Sequence, residues 1–529
     1  MLYLKLICII RFNYDLFGIS MKQKLPRYEM HKYWGKKPPQ DLARLLEKYT
    51  KVNDLVFDPF SGYGVFACEA ILLGRKAISH DLNPVATFIQ EQLLNQDIDL
   101  KKFKIEIEAI LSEVEKDVGS LYQTICPLCN CPAPITASLR TKEDVLLVNK
   151  ISCDCSRAAI EKNVDDSDLQ QIKDIESHIE IPEHPNTLLI RNGRISAKDG
   201  MYTDHLFTKR ALLVHTKIWK KLKEIDDPNI RNLALFAFTS NLANCSRLVP
   251  PIKSRGAMSA GAWMTGFYTG ETYIENNVLH YFKNRFKKVL SGKKDFLSSL
   301  NGRVNKVEDI NDLYVSSNGG YAILNGDAKK LTIQDETVDY IFTDFPYGDS
   351  VPYFEQSILW NTWLNFDVQY QEEIVISDSK QREKDQVNFA KDIRQAVEEI
   401  YRVLKFQSYF TFTFHSLEGR EWYALIKSCL ECGFVIENIE EMTQKTLPPR
   451  QLNRAVTIKG DMLVTFKKVK KNSEITYLSE DQTLSYFDEI IQSDKSFSEN
   501  YSLLVQHFFR NSLIFSEINM SEEILKRMK

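Results

Sequence analysis

Apolar and polar residues alternate along this chain in two separated blocks, each of which reads as strands and helices in turn. In the first, Leu55-Val56-Phe57 is a short apolar run and Ser61-Gly62-Tyr63-Gly64 is a turn. Val65 to Leu73 follows with helical spacing, and Ala77-Ile78-Ser79 is a second strand running into Asp81. The second block begins far downstream, with strand patterns at Ala322 to Leu324, Val338 to Phe342, Tyr409 to Phe414, Val435 to Ile439 and Met462 to Phe466. Asn388 to Leu404 lies among them as an amphipathic helix, with Ile393, Val397, Ile400 and Leu404 on one face. Strands alternating with helices predict an α/β fold with a mostly parallel sheet covered on both sides. A loop, not a helix, joins the last two strands, which allows the final one to run antiparallel.

The interval between Pro84 and Ala322 is too long for a loop and must hold inserted structure. It contains a cysteine cluster from Cys126 to Cys155, an acidic stretch around Asp165 to Glu183, and a basic, mainly helical part from His205 to Lys294. The expected organisation is an N-terminal arm (1–29), a first half-domain (30–100) and a cysteine-bearing insertion (101–200). A basic helical insertion (201–315), a second half-domain (316–470) and a helical tail (471–529) follow.

Composition narrows the class without deciding it. A chain of 529 residues, 43% hydrophobic and 26% charged, is an ordinary globular protein of several domain-sized units. Leu2 to Ile10 is too short for a membrane span, is interrupted by Lys5 and lacks a cleavage site, so a cytoplasmic protein is expected. The net charge of -3 provides no global field for nucleic acid, so any such surface must be local. From His205 to Lys294, 16 basic residues face five acidic ones, with Trp219, Trp263, Phe267, Tyr268, Tyr273, Tyr281, Phe282 and Phe286 interleaved. That stretch reads either as a surface for phosphates and exposed bases or as a solvated helical face over core aromatics.

Five of the ten cysteines fall in one short segment, as Cys126-x2-Cys129-x-Cys131 and Cys153-x-Cys155. Two close pairs separated by a hairpin-sized interval suit a tetrahedral zinc ion on Cys126, Cys129, Cys153 and Cys155, leaving Cys131 as a spare. Four protein ligands leave no open position, so such a zinc would be structural. Unmetallated thiols are the alternative.

Two motifs carry chemistry. In Asp58-Pro59-Phe60-Ser61-Gly62-Tyr63-Gly64 the glycines permit positive φ and close approach of a ligand to the backbone. Asp81 stands 19 residues beyond Gly62 at the end of the next strand, where a carboxylate can accept hydrogen bonds from ribose hydroxyls. Thr343-Asp344-Phe345-Pro346-Tyr347 follows an apolar strand. An acid followed by carbonyls in a proline-restrained turn can accept hydrogen bonds from an exocyclic amine, while a tyrosine ring stacks on the attached heterocycle.

Together these stretches resemble motifs I and IV of the S-adenosylmethionine-dependent DNA amino-methyltransferases, which act on adenine N6 and cytosine N4 and whose motif IV is usually written (D/N/S)PPY. His31-Lys32-Tyr33-Trp34-Gly35-Lys36-Lys37-Pro38 resembles their motif X, and Asn325-Gly326-Asp327-Ala328 their motif III. The resemblance covers about Met30 to Asn83 and Tyr321 to Lys468. It implies a Rossmann-like methyltransferase sheet, split by a zinc-bearing, mainly helical insertion that recognises DNA. Asp58, Phe60, Gly62 and Gly64 would then contact the cofactor, Asp81 its ribose, Asp327 its adenine, and Lys37 and Pro38 its methionine end. Asp344, Phe345, Pro346 and Tyr347 would form the catalytic turn.

Phe345 departs from the pattern, because it keeps a backbone carbonyl where the family has a first proline but loses the fixed φ. The chain contains no Pro-Cys dipeptide, which argues against a nucleophilic cysteine and for direct transfer to an amine. Adenine N6 is favoured because the motif begins with an acid. Family resemblance also suggests a restriction or defence-system partner. An RNA guanine-N2 methyltransferase and a non-catalytic nucleic-acid-binding protein on the same scaffold are the other readings.

Overall fold

In the computed structural model, which describes residues 25–316, 319–414, 420–442, 461–470, 475–516 and 518–528, proline and hydrophobic spacing set the first elements. The residues from Leu2 to Ile10 and Met21 lie outside the described residues. Helix α1 (Pro39–Tyr49) starts on a proline, whose missing N–H is one that a first turn leaves unbonded anyway, and buries Leu42, Leu45 and Leu46. Strand β1 (Leu55–Asp58) is buried along its whole length, as a central parallel strand must be. Helix α2 (Val65–Leu72) follows Gly64, which has φ +85°. Strand β2 (Lys76–Asp81) and helix α3 (Pro84–Leu94) complete the unit.

The connection from β2 to the next sheet strand is the insertion. It opens with helix α4 (Leu100–Val118), capped by the Asp99 carboxylate and burying Phe103, Ile107, Leu111, Val114 and Val118. Then come strands β3 (Gln123–Ile125), β4 (Pro132–Thr141), β5 (Leu146–Ile151) and β6 (Ile160–Asn163). Helices α5 (Lys209–Lys223) and α6 (Pro228–Leu242), strand β7 (Thr272–Asn276) and helix α7 (Val278–Ser299) follow. Strands β3 to β7 form one five-stranded antiparallel sheet in which β7 pairs with β4. The insertion is therefore not mainly helical around the cysteines. The segment expected as a separate basic helical unit supplies an edge strand of the cysteine-bearing sheet.

These strands escape pattern reading because their buried face is partly polar. Ser138, Arg140 and Asn149 are buried, and Arg140 Nε donates to Glu275 Oε2 at 2.5 Å while Arg210 Nε donates to Glu275 Oε1 at 2.7 Å. Burial alone would raise the Glu275 carboxyl, but the two guanidinium groups hold it well below the usual range.

After the insertion come β8 (Asn305–Lys306), β9 (Gly320–Asn325), β10 (Val338–Asp344), helices α8 (Tyr353–Leu364) and α9 (Gln386–Val403), and β11 (Leu404–Phe414). Helix α10 (Arg420–Cys432) and strands β12 (Phe434–Met442) and β13 (Asp461–Lys468) close the main sheet. Its order is β12-β13-β11-β10-β1-β2-β9-β8, and β13 runs antiparallel to both its neighbours while the other pairs are parallel. The five downstream strand patterns thus all appear, and the last one is reversed.

One face of the sheet shares its core with the insertion, including Phe103, Phe236, Phe238 and Phe282. The other face is covered by α9, α10 and the C-terminal segment. That segment holds β14 (Thr476–Tyr477), α11 (Glu480–Ile490), α12 (Phe497–Arg510), β15 (Leu513–Ile514) and α13 (Met520–Arg527). It is part of this core, since Phe487, Phe508 and Phe509 are fully buried and Phe509 lies 5.5 Å from Trp422. Among the described residues no helix is long and apolar enough to cross a membrane.

Candidate active site

Strand β1 is flanked by β2 on one side and β10 on the other, so the chain winds outward in both directions from this point. In open α/β sheets ligands bind beyond the carboxyl ends of the strands at such a reversal. A cleft lies there, with about 920 Å³ of empty space including its open mouth. Lys37, Asp58, Phe60, Gly62, Asp81, Asp327, Asp344 and Pro346 line it. Pro38, Gly64, Phe345 and Tyr347 adjoin it without lining it.

The glycine turn is tied to the end of the second strand. Gly62 N donates to Asp81 Oδ2 at 2.8 Å, and Asn83 N donates to Asp81 Oδ1 at 2.9 Å. Each oxygen keeps acceptor capacity for a further donor. Burial pushes the Asp81 carboxyl up to about 6. Gly62 has φ +49°, and a Cβ on it would sit 2.9 Å from Tyr33 Cε1. Gly64 has φ +85°, and a Cβ there would meet Gln90 Cγ at 2.8 Å. Asp58 is buried, accepts from Phe60 N at 3.0 Å and Thr343 Oγ1 at 2.8 Å, and is pushed up to about 8 by burial. These bonds tie the turn after β1 to the end of β10. Asp327 follows β9 and accepts from Lys329 N at 2.9 Å. His80 Nδ1 donates to Pro59 O at 3.1 Å, and the residue sits in the strand as a structural one.

At the end of β10 the Asp344 carboxylate is enclosed. Lys37 Nζ lies 3.0 Å from Asp344 Oδ1, Tyr347 Oη donates to the same oxygen at 2.6 Å, and Thr413 Oγ1 donates to it at 2.7 Å. Lys37 Nζ also donates to Asp461 Oδ2 at 2.7 Å and to Tyr347 Oη at 2.7 Å. The structure thus brings Lys37 onto the Asp344 carboxylate. Pro38 is the residue before α1, at φ -60°. Phe345 is a core residue, fully buried with its ring 5.4 Å from Phe60 and 5.5 Å from Phe412. The ring of Tyr347 is stacked on Phe414 at 5.6 Å.

Sequence reading missed Tyr33, Thr413 and Asp461. Tyr33 lies inside the quoted motif X stretch, but nothing local says that its ring covers Gly62. Thr413 and Asp461 stand at strand ends far from Asp344 along the chain and carry no motif.

The four cysteines converge. The Sγ atoms of Cys126, Cys129, Cys153 and Cys155 all lie within 4.8 Å of one another. The Cys126 to Cys155 and Cys129 to Cys153 separations are 3.7 and 3.5 Å, close to the roughly 3.8 Å edge of a tetrahedron with 2.3 Å Zn–S bonds. Cys131 points elsewhere, with its Sγ 3.6 Å from Cys129 O.

The basic stretch is largely absorbed by the fold. Trp263, Phe267, Tyr273, Phe282 and Phe286 are buried, and Trp219 Nε1 donates to Trp363 O at 2.8 Å. Lys217, Lys221 and Lys283 pair with Asp117, Glu113 and Glu115 of α4. These aromatics are core and these lysines are partly neutralised, so they do not form the expected surface of stacking rings and free cations.

A family model described as DNA methylase matches residues 15–90, a stretch that contains Lys37, the glycine turn and Asp81. The chain is 22% identical to the type II methyltransferase M.MjaII of Methanocaldococcus jannaschii over 397 residues, covering 69% of this chain and 68% of that protein. Among solved structures, a SAM-dependent methyltransferase of Methanosarcina mazei is 12% identical, with a TM-score of 0.17 over 30% of this chain and 72% of the other. An S-adenosylmethionine-dependent methyltransferase of Mesorhizobium loti is 11% identical, with a TM-score of 0.17 over 31% of this chain and 79% of the other. The family match and the M.MjaII match support an S-adenosylmethionine-dependent DNA methyltransferase.

Proposed function

We propose that this chain moves a methyl group from S-adenosylmethionine to the exocyclic amine of a DNA base, with adenine N6 preferred to cytosine N4. The observation that carries the reading is one cleft at the sheet's reversal point, lined at one end by Gly62 and Asp81 and at the other by Asp344. S-adenosylmethionine, when bound, supplies an electrophilic methyl group. Asp81 has acceptor capacity left for ribose hydroxyls, the Gly62 turn permits close backbone approach, Asp327 serves the adenine and the backbone at Pro38 the amino acid, while the Lys37 side chain serves Asp344 instead.

The target base leaves its stack, because a paired amine cannot reach such a cleft. Asp344 accepts a hydrogen bond from the amine and orients the nitrogen lone pair, so catalysis is positioning more than acid-base work. A flipped base stacks on the face of Tyr347 away from Phe414, and the Phe345 carbonyl serves the amine while its ring anchors the turn. The preference for adenine rests on the acidic first residue of the turn. The cysteine cluster holds a structural zinc ion that fixes the insertion's small sheet. A cytoplasmic protein with a restriction or defence-system partner fits this reading.

Mass spectrometry of digested DNA from cells expressing the protein is the test. N6-methyladenine is expected. N4-methylcytosine as the sole product overturns the base preference, methylated guanine in RNA supports the RNA reading, and bound cofactor with no methylated base supports the non-catalytic one.

A further inference from the structure

The groups around Asp344 are arranged unevenly. Oδ1 receives Lys37 Nζ at 3.0 Å, Tyr347 Oη at 2.6 Å and Thr413 Oγ1 at 2.7 Å. Oδ2 has no hydrogen-bond donor among the described residues. Gly35, with φ +72°, lies beside it, and a Cβ on Gly35 would come within 3.0 Å of Oδ2. Lys37 is itself held from behind by Asp461 Oδ2 at 2.7 Å.

We infer that Lys37 and Asp461 are positioning residues that fix the Asp344 carboxylate by its Oδ1 atom and leave Oδ2 for the target amine, with Gly35 keeping that approach uncovered. The inference deepens the proposed amine methylation and rests on it. A carboxylate with three donors on one oxygen cannot rotate, so an amine arriving at the other oxygen meets a fixed direction. Two carboxylates around one ammonium leave one net negative charge. Positive charge grows on the amine nitrogen as the new N–C bond forms and the methyl group's bond to sulfur breaks, and the cluster's net negative charge stabilises it. The departing amine proton passes to solvent afterwards. Burial raises the Asp344 carboxyl and Lys37 opposes that rise, so loss of the ammonium favours the protonated acid, a weaker acceptor than the carboxylate. The groups facing Asp344 are Lys37 and Gly35 ahead of α1, Asp58 on β1, Tyr347 of its own turn, Tyr353 on α8, Thr413 on β11 and Asp461 on β13.

The experiment uses the full chain and Lys37→Met, Lys37→Arg and Asp461→Asn. S-adenosylmethionine affinity is measured by calorimetry and methyl transfer to DNA in single turnover, at saturating enzyme and cofactor, from about pH 6 to about pH 9. Lys37→Met is expected to keep cofactor affinity within about threefold while transfer at neutral pH falls by about 100-fold. Its rate then recovers as pH rises and Asp344 ionises, by a larger factor than the wild-type rate gains over the same range. Lys37→Arg retains at least about a tenth of the wild-type rate, and Asp461→Asn loses about tenfold.

Wild-type transfer by Lys37→Met, a loss confined to cofactor affinity, or a loss that pH does not relieve overturns the inference. Should Lys37→Met fail to fold, Lys37→Gln, which also removes the cation, carries the same pH comparison. Infrared difference spectra of the free protein, with Asp344→Asn as the blank, read the ionisation of Asp344 without substrate. An upward shift in Lys37→Met supports the clamp and no shift overturns it. Absence of any methylated base with the wild type instead sinks the proposed function alone.

Discussion

The backbone N–H of Gly62 donates to Asp81 Oδ2 at 2.8 Å, so the turn after β1 and the end of β2 are held together before any ligand arrives. Asp81→Ala therefore removes the proposed ribose acceptor and unhooks the glycine turn at once. Cofactor affinity should fall by about 1.5 to 3 kcal/mol for the lost charged acceptor, as measured by calorimetry.

The same carboxyl predicts a pH dependence. Burial raises the Asp81 carboxyl to about 6, and hydroxyl donors bind the ionised form better than the acid. Affinity for S-adenosylmethionine should thus be steady above that value and weaken as pH falls through it. The stability effect runs the other way. The folded state holds the proton more tightly than the unfolded chain, so this group's contribution favours folding at low pH and is lost as pH rises through about 6. Calorimetric titrations at acidic and neutral pH, with Asp81→Asn as the insensitive control, separate the binding effect from others.

Phe345 fills the space between Phe60 and Phe412, where the first proline of the usual turn would leave a void. Truncation to Phe345→Ala should destabilise the protein by about 3 to 5 kcal/mol, because a fully buried ring is removed and the cavity only partly collapses. A urea titration reads this directly, and a loss under about 1 kcal/mol would show that the ring is not the anchor of the turn.

Purified protein should carry about one zinc equivalent, and serine replacement of Cys126, Cys129, Cys153 or Cys155 should remove it and loosen the insertion's sheet. Cys131→Ser should leave metal content unchanged, because its sulfur lies against Cys129 O and not in the cluster. Elemental analysis that finds no zinc in protein prepared without chelator would exclude the site.

Lys217, Lys221 and Lys283 already pair with carboxylates of α4, so replacing all three should hardly alter the salt dependence of DNA binding. Exposed pairs of this kind contribute about 0 to 1 kcal/mol to stability. Lys253 and Arg255 differ, being exposed on the loop whose Trp263 lies 6.2 Å from Trp34 beside the cleft. Replacing them should flatten the salt slope by about 0.9 for each DNA phosphate they would otherwise neutralise. Filter binding over a range of salt concentrations compares the two sets.

What the sequence determined by itself was local. The strand-turn-helix-strand from Leu55 to Asp81 is one contiguous unit, so its apolar runs, its glycines and the spacing to Asp81 appear together in the chain. The parallel strands of the second block are buried on both faces and read as apolar runs, and the two cysteine pairs announce their sulfurs by spacing alone. Tertiary structure decided what depends on which strand ends converge. Lys37 meets Asp461 across 424 residues, and Asp344, Thr413 and Asp461 gather around one lysine only because a single sheet aligns three of its strands there. No local pattern encodes that. Burial was decided the same way: Trp263, Phe282 and Phe286 look identical in sequence whether they face solvent or core. Strands β4 and β7 hid their period because their buried positions carry Arg140 and Glu275, whose charges satisfy each other only once the strands pair.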